Sequence, residues 1–117
     1  MNTEETINAF NGAFNTHDVD AIMALMTDDV VFDNTAPPDG ERYEGQADVR
    51  AFWERFFDAN PNAWFDTVEM FTGGDRCCVR WIFTFDKTKP EDGHVHGADV
   101  FRVRDGKVCE KLSYVKG

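Results

Sequence analysis

The chain is short of basic residues, of pairable cysteines and of long apolar runs, and each shortage excludes something. Its 117 residues carry 12 Lys and Arg against 22 Asp and Glu, a formal net charge of −10. Such a domain repels phosphate backbones and anionic lipid surfaces, so no nucleic acid and no membrane is expected as a partner. No stretch approaches the roughly 18 consecutive apolar residues that suggest a membrane span. The start, Met1-Asn2-Thr3-Glu4-Glu5, is acidic and polar, unlike a secretory leader. A cytoplasmic location is therefore expected. The 3 cysteines, Cys77, Cys78 and Cys109, make a poor disulfide framework because their number is odd. There is no Cys-x-x-Cys pair, no Gly-x-Gly-x-x-Gly, no Walker loop and no Gly-x-Ser-x-Gly. His94 and His96 would share one strand face, but no third histidine or carboxylate stands at a helpful spacing. Neither a metal nor a cofactor is expected.

What the chain does have is aromatic residues: 11 Phe, 3 Trp and 2 Tyr, within a 42% hydrophobic composition. That content excludes intrinsic disorder. The length suits one domain, residues 1–117, able to bury a core without disulfide or metal staples.

Helical spacing comes first along the chain. Asn2 and Glu5 form a capping-box pattern, and Ile7, Phe10 and Phe14 fall on one helical face. Asp18 is a good N-cap for a short second helix with Val19, Ile22, Met23 and Met26 inward, ended by Thr27-Asp28-Asp29. Val30 to Thr35 reads as a strand, Ala36 to Gly40 as a loop, and Arg42-Tyr43-Glu44 as a short extended piece. A third helix carries Val49, Phe52, Trp53, Phe56 and Phe57 on one face and stops at Asn60-Pro61. Period-two alternation then predicts strands over Trp64–Thr72, Arg76–Lys87, Val95–Val103 and Lys107–Val115. Val79, Trp81, Phe83 and Phe85 share one face of the second of these. The sum is an α+β domain in which three helices pack on one face of a curved antiparallel sheet.

Four stretches resemble the SnoaL-like group of the NTF2-like superfamily: Asn15 to Ile22, Asp28 to Phe32, Tyr43 to Gln46 leading into the third helix, and Gly97 to Val108. The resemblance implies an NTF2-like (cystatin-like) cone, its curved sheet wrapped around the helices and a pocket at the open end. It also implies a homodimer formed through the outer sheet face. Arg80 and Arg102, alternating with Ile82 and Val100, would suit that face. Fold alone does not settle activity, because the superfamily includes polyketide cyclases, a ketosteroid isomerase, epoxide hydrolases, dehydratases and non-catalytic members.

Asp99 is the candidate catalytic residue. It stands in mid-strand, where an acid is out of place, on one face with Gly97, Phe101 and Val103. The ketosteroid isomerases have a similar stretch with a pocket-facing aspartate, which implies proton transfer or oxyanion binding next to a substrate carbonyl. The competing expectation is a structural ion pair. A three-residue loop at Gly106, the register that fits the resemblance, sets Asp99 opposite Lys111 and Gly97 opposite Ser113. A two-residue Asp105-Gly106 turn sets Asp99 opposite Leu112 and turns Lys111 outward. Two departures from the isomerases count against that activity: Phe10 stands where they have a tyrosine, and Asn34 where they have the basic aspartate. Gly97 stands where limonene epoxide hydrolases need an arginine. His17 reads as structural and His96 as outward-facing.

The expected ligand is a small hydrophobic molecule with a carbonyl. Phe10, Phe14, Phe32, Trp53, Phe56, Trp81, Phe83 and Phe101 would wall the pocket, with Asn34, Lys111 and Ser113 as polar contacts. The alternative is a dimeric ligand-binding or accessory protein without chemistry.

Overall fold

A computed structural model describes residues 1–117. Its first helix, α1 (Thr3–Asn15), starts at a complete capping box. Asn2 Oδ1 accepts from the Glu5 amide at 2.8 Å, and the Asn2 amide donates to Glu5 Oε1 at 3.0 Å. Ile7, Phe10 and Phe14 are all buried. His17, at φ 56°, turns the chain sharply, and Asp18 caps α2 (Val19–Ala24).

This second helix is shorter than its spacing suggests. Met26 is buried, but as the first residue of β1 (Met26–Asp33) rather than as the last turn of α2. The Leu25 carbonyl accepts a 2.7 Å hydrogen bond from the Val108 amide, which draws the chain into the sheet. The short β2 (Arg42–Glu44) and the long α3 (Gly45–Ala59) follow. The remaining strands are β3 (Trp64–Gly73), β4 (Arg76–Thr84), β5 (His94–Arg104) and β6 (Lys107–Val115). The predicted second long strand thus stops at Thr84 instead of Lys87. There β4 loses its last partner, since Thr84 pairs with His94 at the very start of β5.

The six strands run in the order β2-β1-β6-β5-β4-β3. All neighbours are antiparallel except β1 and β6, which pair in parallel. Helices cover the inner face, and 19 buried hydrophobic residues form one core.

The β5–β6 register matches neither expectation. The turn is a two-residue one, with Asp105 at φ 54° and Gly106 at φ 73°, and Arg104 pairs with Lys107. Two residues further on the ladder shifts. Val103 faces Val108, but Arg102 faces Glu110, leaving Cys109 as an extra residue on β6. Asp99 consequently pairs with Ser113, and Phe101 pairs with Lys111. The bulge returns Lys111 and Ser113 to the inner face that an uninterrupted two-residue hairpin would have denied them.

Candidate functional site

Between α3 and the inner sheet face lies a cavity of about 260 Å³. Helices contribute Phe14, Phe52, Trp53 and Phe56, and β4 contributes Trp81 and Phe83, with Phe85 at its end. Beneath this apolar wall lie Asp99, Lys111 and Ser113. A narrower cleft of about 40 Å³, lined by Asn11 and Asn15 of α1 and Thr67 of β3, reaches Asp99 and Lys111 from another side. That is room for about one water molecule.

Asp99 and Lys111 are both buried, at 7% and 6% exposure. Lys111 Nζ lies 3.4 Å from Asp99 Oδ2 and donates to Ser113 Oγ at 2.8 Å. Ser113 Oγ in turn donates to Asp99 Oδ1 at 2.7 Å. The three side chains therefore form a closed chain in which both aspartate oxygens face a proton donor. Lys111 Nζ also sits 4.7 Å from the ring centroid of Phe32 and 5.5 Å from that of Trp53, a favourable placement over electron-rich faces. Burial nevertheless pushes the Lys111 amine below its ordinary value of 10.5, against the pull of Asp99. The pair expected as an alternative to a pocket acid is thus itself part of the cavity wall.

Gly97 shows how closely this wall is built. A β-carbon there would lie 2.3 Å from Trp81 Cη2 and 2.5 Å from the Tyr114 carbonyl oxygen. The Trp81 indole occupies the space where any other residue would put its side chain. Trp53 and Trp81 also bury their indole N–H groups without an acceptor.

Most of the residues picked from sequence meet at this site: Phe14, Phe32, Asn34, Trp53, Phe56, Trp81, Phe83, Asp99, Lys111 and Ser113 all line the cavity. Phe10 does not; it borders only the narrow cleft. Phe101 lines neither space. It is fully buried, edge-to-face with Phe10 at 5.6 Å, because its partner Lys111 rises between it and the cavity rings. Asn34 reaches the wall, but its amide is occupied. Its Oδ1 accepts from the Ala36 and Glu41 amides at 3.1 and 2.7 Å, and its Nδ2 donates to Glu41 Oε1 at 2.9 Å. Gly40, at φ 78°, passes so close to Asn34 that a β-carbon would meet the backbone oxygen at 2.5 Å. Asn34 therefore pins the Ala36–Glu41 loop at the rim.

Thr35, Phe52, Phe65, Phe85, Val95 and Val115 also line the cavity, beyond the wall expected from the sequence. Alternation over Trp64–Thr72 and the helical face of Phe52 carried the signal for two of them. His17 is structural: its Nε2 lies 2.9 Å from the Ala63 carbonyl oxygen and its ring stacks on Phe57 at 4.3 Å. His94 and His96 share a face and are both exposed. No helix is long and apolar enough to cross a membrane.

A curved, mostly antiparallel sheet covered on its inner face by helices defines a class of small α+β cone folds. Within that class, the SnoaL-like domain model matches residues 7–111, so the chain belongs to the SnoaL-like family. An NTF2-like protein of unknown function from Mesorhizobium loti is 34% identical, with a TM-score of 0.84 over 98% of this chain and 91% of that one. A SnoaL-like protein of unknown function from Burkholderia thailandensis superposes with a TM-score of 0.79 at 22% identity, covering 98% of this chain and 95% of that one. A candidate ketosteroid isomerase from Kribbella flavida reaches a TM-score of 0.82 at 20% identity, over 98% of this chain and 78% of that one. No curated protein matches the sequence.

Proposed function

We propose that the cavity binds a small hydrophobic molecule carrying a carbonyl group, with Asp99 as the acid/base of an isomerase- or cyclase-like proton transfer. The observation that carries this reading is the placement of a buried Asp99–Ser113–Lys111 chain in the wall of an otherwise aromatic cavity. A carbonyl oxygen brought there would meet the Lys111 ammonium as its hydrogen-bond donor. In this reading Asp99 takes a proton from the neighbouring carbon. The size argues for one or two rings, since a dry apolar cavity of about 150 Å³ accommodates one benzene and this one holds about 260 Å³.

A second reading, a binding or accessory protein without chemistry, is favoured by Asn34. Its amide is committed to the rim loop and supplies no base. Asp99→Asn separates the two. With aromatic ketones as probes and tryptophan fluorescence as the binding readout, an enzyme loses exchange of the protons next to the carbonyl into D₂O but keeps affinity. A binder shows no exchange before or after the substitution.

The same proposal includes a cytoplasmic homodimer. Phe71 and Tyr114, 57% and 59% exposed, lie on the outer sheet face that would form its interface. Light scattering that returns a monomer mass at working concentration overturns that part.

A further inference from the structure

We infer that Lys111 is a nucleophilic amine that forms an imine with an aldehyde or ketone held in the cavity, with Ser113 passing the amine proton to Asp99. This inference rests on the carbonyl-ligand reading above and adds a covalent step to it.

Three observations carry it. The first is isolation: Lys111 is the buried lysine of the chain, whereas Lys87, Lys89, Lys107 and Lys116 are exposed. The second is access, because Lys111 lines both the main cavity and the narrow cleft. The third is the direction of the hydrogen bonds. Lys111 Nζ donates to Ser113 Oγ, which donates to Asp99 Oδ1, so a proton leaving the amine has a hydroxyl relay to a carboxylate. Burial in an aromatic shell disfavours the ammonium, which works in the same direction.

The step balances without an added reagent. Lys111 gives one proton through Ser113 to Asp99 and becomes a neutral amine. Its lone pair attacks the carbonyl carbon, a C–N bond forms, and the carbonyl π electrons move to oxygen. Asp99 protonates that oxygen and recovers a proton from nitrogen. It then protonates the hydroxyl, which leaves as water while the nitrogen lone pair closes the C=N bond. The product is a positively charged iminium beside an ionised Asp99, the same net charge as the starting ammonium pair. The departing water has the narrow cleft beside Asn11 and Asn15 at hand, which holds about one such molecule.

The test uses the whole chain with 2-naphthaldehyde and sodium cyanoborohydride at neutral pH. Intact mass and peptide mapping follow the adduct, and tryptophan quenching follows binding in parallel. The cavity would hold the aldehyde beside Lys111, so labelling there should outpace any exposed lysine by at least about tenfold. Lys111→Arg, which keeps the charge without a nucleophilic amine, should lose the selective adduct, with quenching by naphthalene, which has no carbonyl, as the check that the cavity is intact. Ser113→Ala should slow the adduct by several fold without abolishing quenching. Quenching with adducts only on exposed lysines overturns the imine and leaves the cavity reading standing. Adducts only on exposed lysines with no quenching overturn both. If Lys111→Arg fails to fold, protection of Lys111 from the adduct by a non-carbonyl aromatic such as naphthalene replaces it, and lack of protection overturns the inference.

Discussion

Replacing Asp99 by Asn leaves the shape of the floor almost unchanged and strands the Lys111 ammonium in a buried aromatic shell. Breaking a buried pair by removing one partner typically costs about 3–5 kcal/mol. Here the loss has a ceiling, because Lys111 can escape by giving up its proton. That costs about 1.4 kcal/mol for each unit between the working pH and the ordinary lysine value of 10.5. The ceiling is therefore about 5 kcal/mol at pH 7 and about 2 kcal/mol at pH 9. Burial already depresses the amine in the native protein, so part of the penalty is present before the substitution. About 3 kcal/mol is expected at pH 7, roughly a 10 °C fall in Tm for a domain near this size. The sign follows from proton counts. The folded value lies below the unfolded one, so between them the unfolded state holds more protons and stability rises with pH. Urea titration of the Asp99→Asn variant at pH 7 and pH 9 measures this, and the deficit against wild type should shrink at the higher pH. Lys111→Met strands the carboxylate instead and should be destabilised as well. The double variant, with neither charge, should lie close to wild type. A deficit of equal size at both pH values, or a double variant that loses the sum of the two, would refute the reasoning.

Other outcomes follow from single contacts. Gly97→Ala drives a methyl into Trp81 and the Tyr114 carbonyl, and should cost about 1–3 kcal/mol by thermal melt, with weakened ligand quenching because the wall itself moves. Cys77, buried and pushed up to about 11 by desolvation, should resist iodoacetamide in the native protein and react promptly in urea, as read by mass spectrometry. Asn34→Ala removes three hydrogen bonds from the rim loop, and should cost about 1–3 kcal/mol and speed hydrogen exchange at the Ala36 and Glu41 amides.

Much of the fold could be read from spacing because burial in this chain follows one period at a time. The run Val49, Trp53 and Phe57 is buried on α3. Cys77, Val79, Trp81 and Phe83 are buried in alternation on β4. Met26 misled because its distance from Ile22 suits a helix as well as the sheet position it takes; a single bond from Val108 to Leu25 decides between them. The β5–β6 register was illegible for a different reason. A bulge is a backbone choice that no residue type demands, and Cys109 carries no mark of it. The identity of the wall residues was therefore largely visible, since alternation places rings on one face. Which of them border empty space was not. Phe101 shares the periodicity of its neighbours yet is filled in by Phe10 and Lys111, and only the packed structure distinguishes a ring beside a void from a ring beneath one.

The extra residue at Cys109 has a bearing on how such domains diverge. A relative one residue shorter at that point would run a regular ladder and still present a lysine and a serine to its interior. A relative of the same length whose strand ran straight would turn both outward and bring in the equivalents of Glu110 and Leu112. An acidic, leucine-lined chamber and a basic, hydroxyl-bearing one thus differ by a kink and not by a substitution.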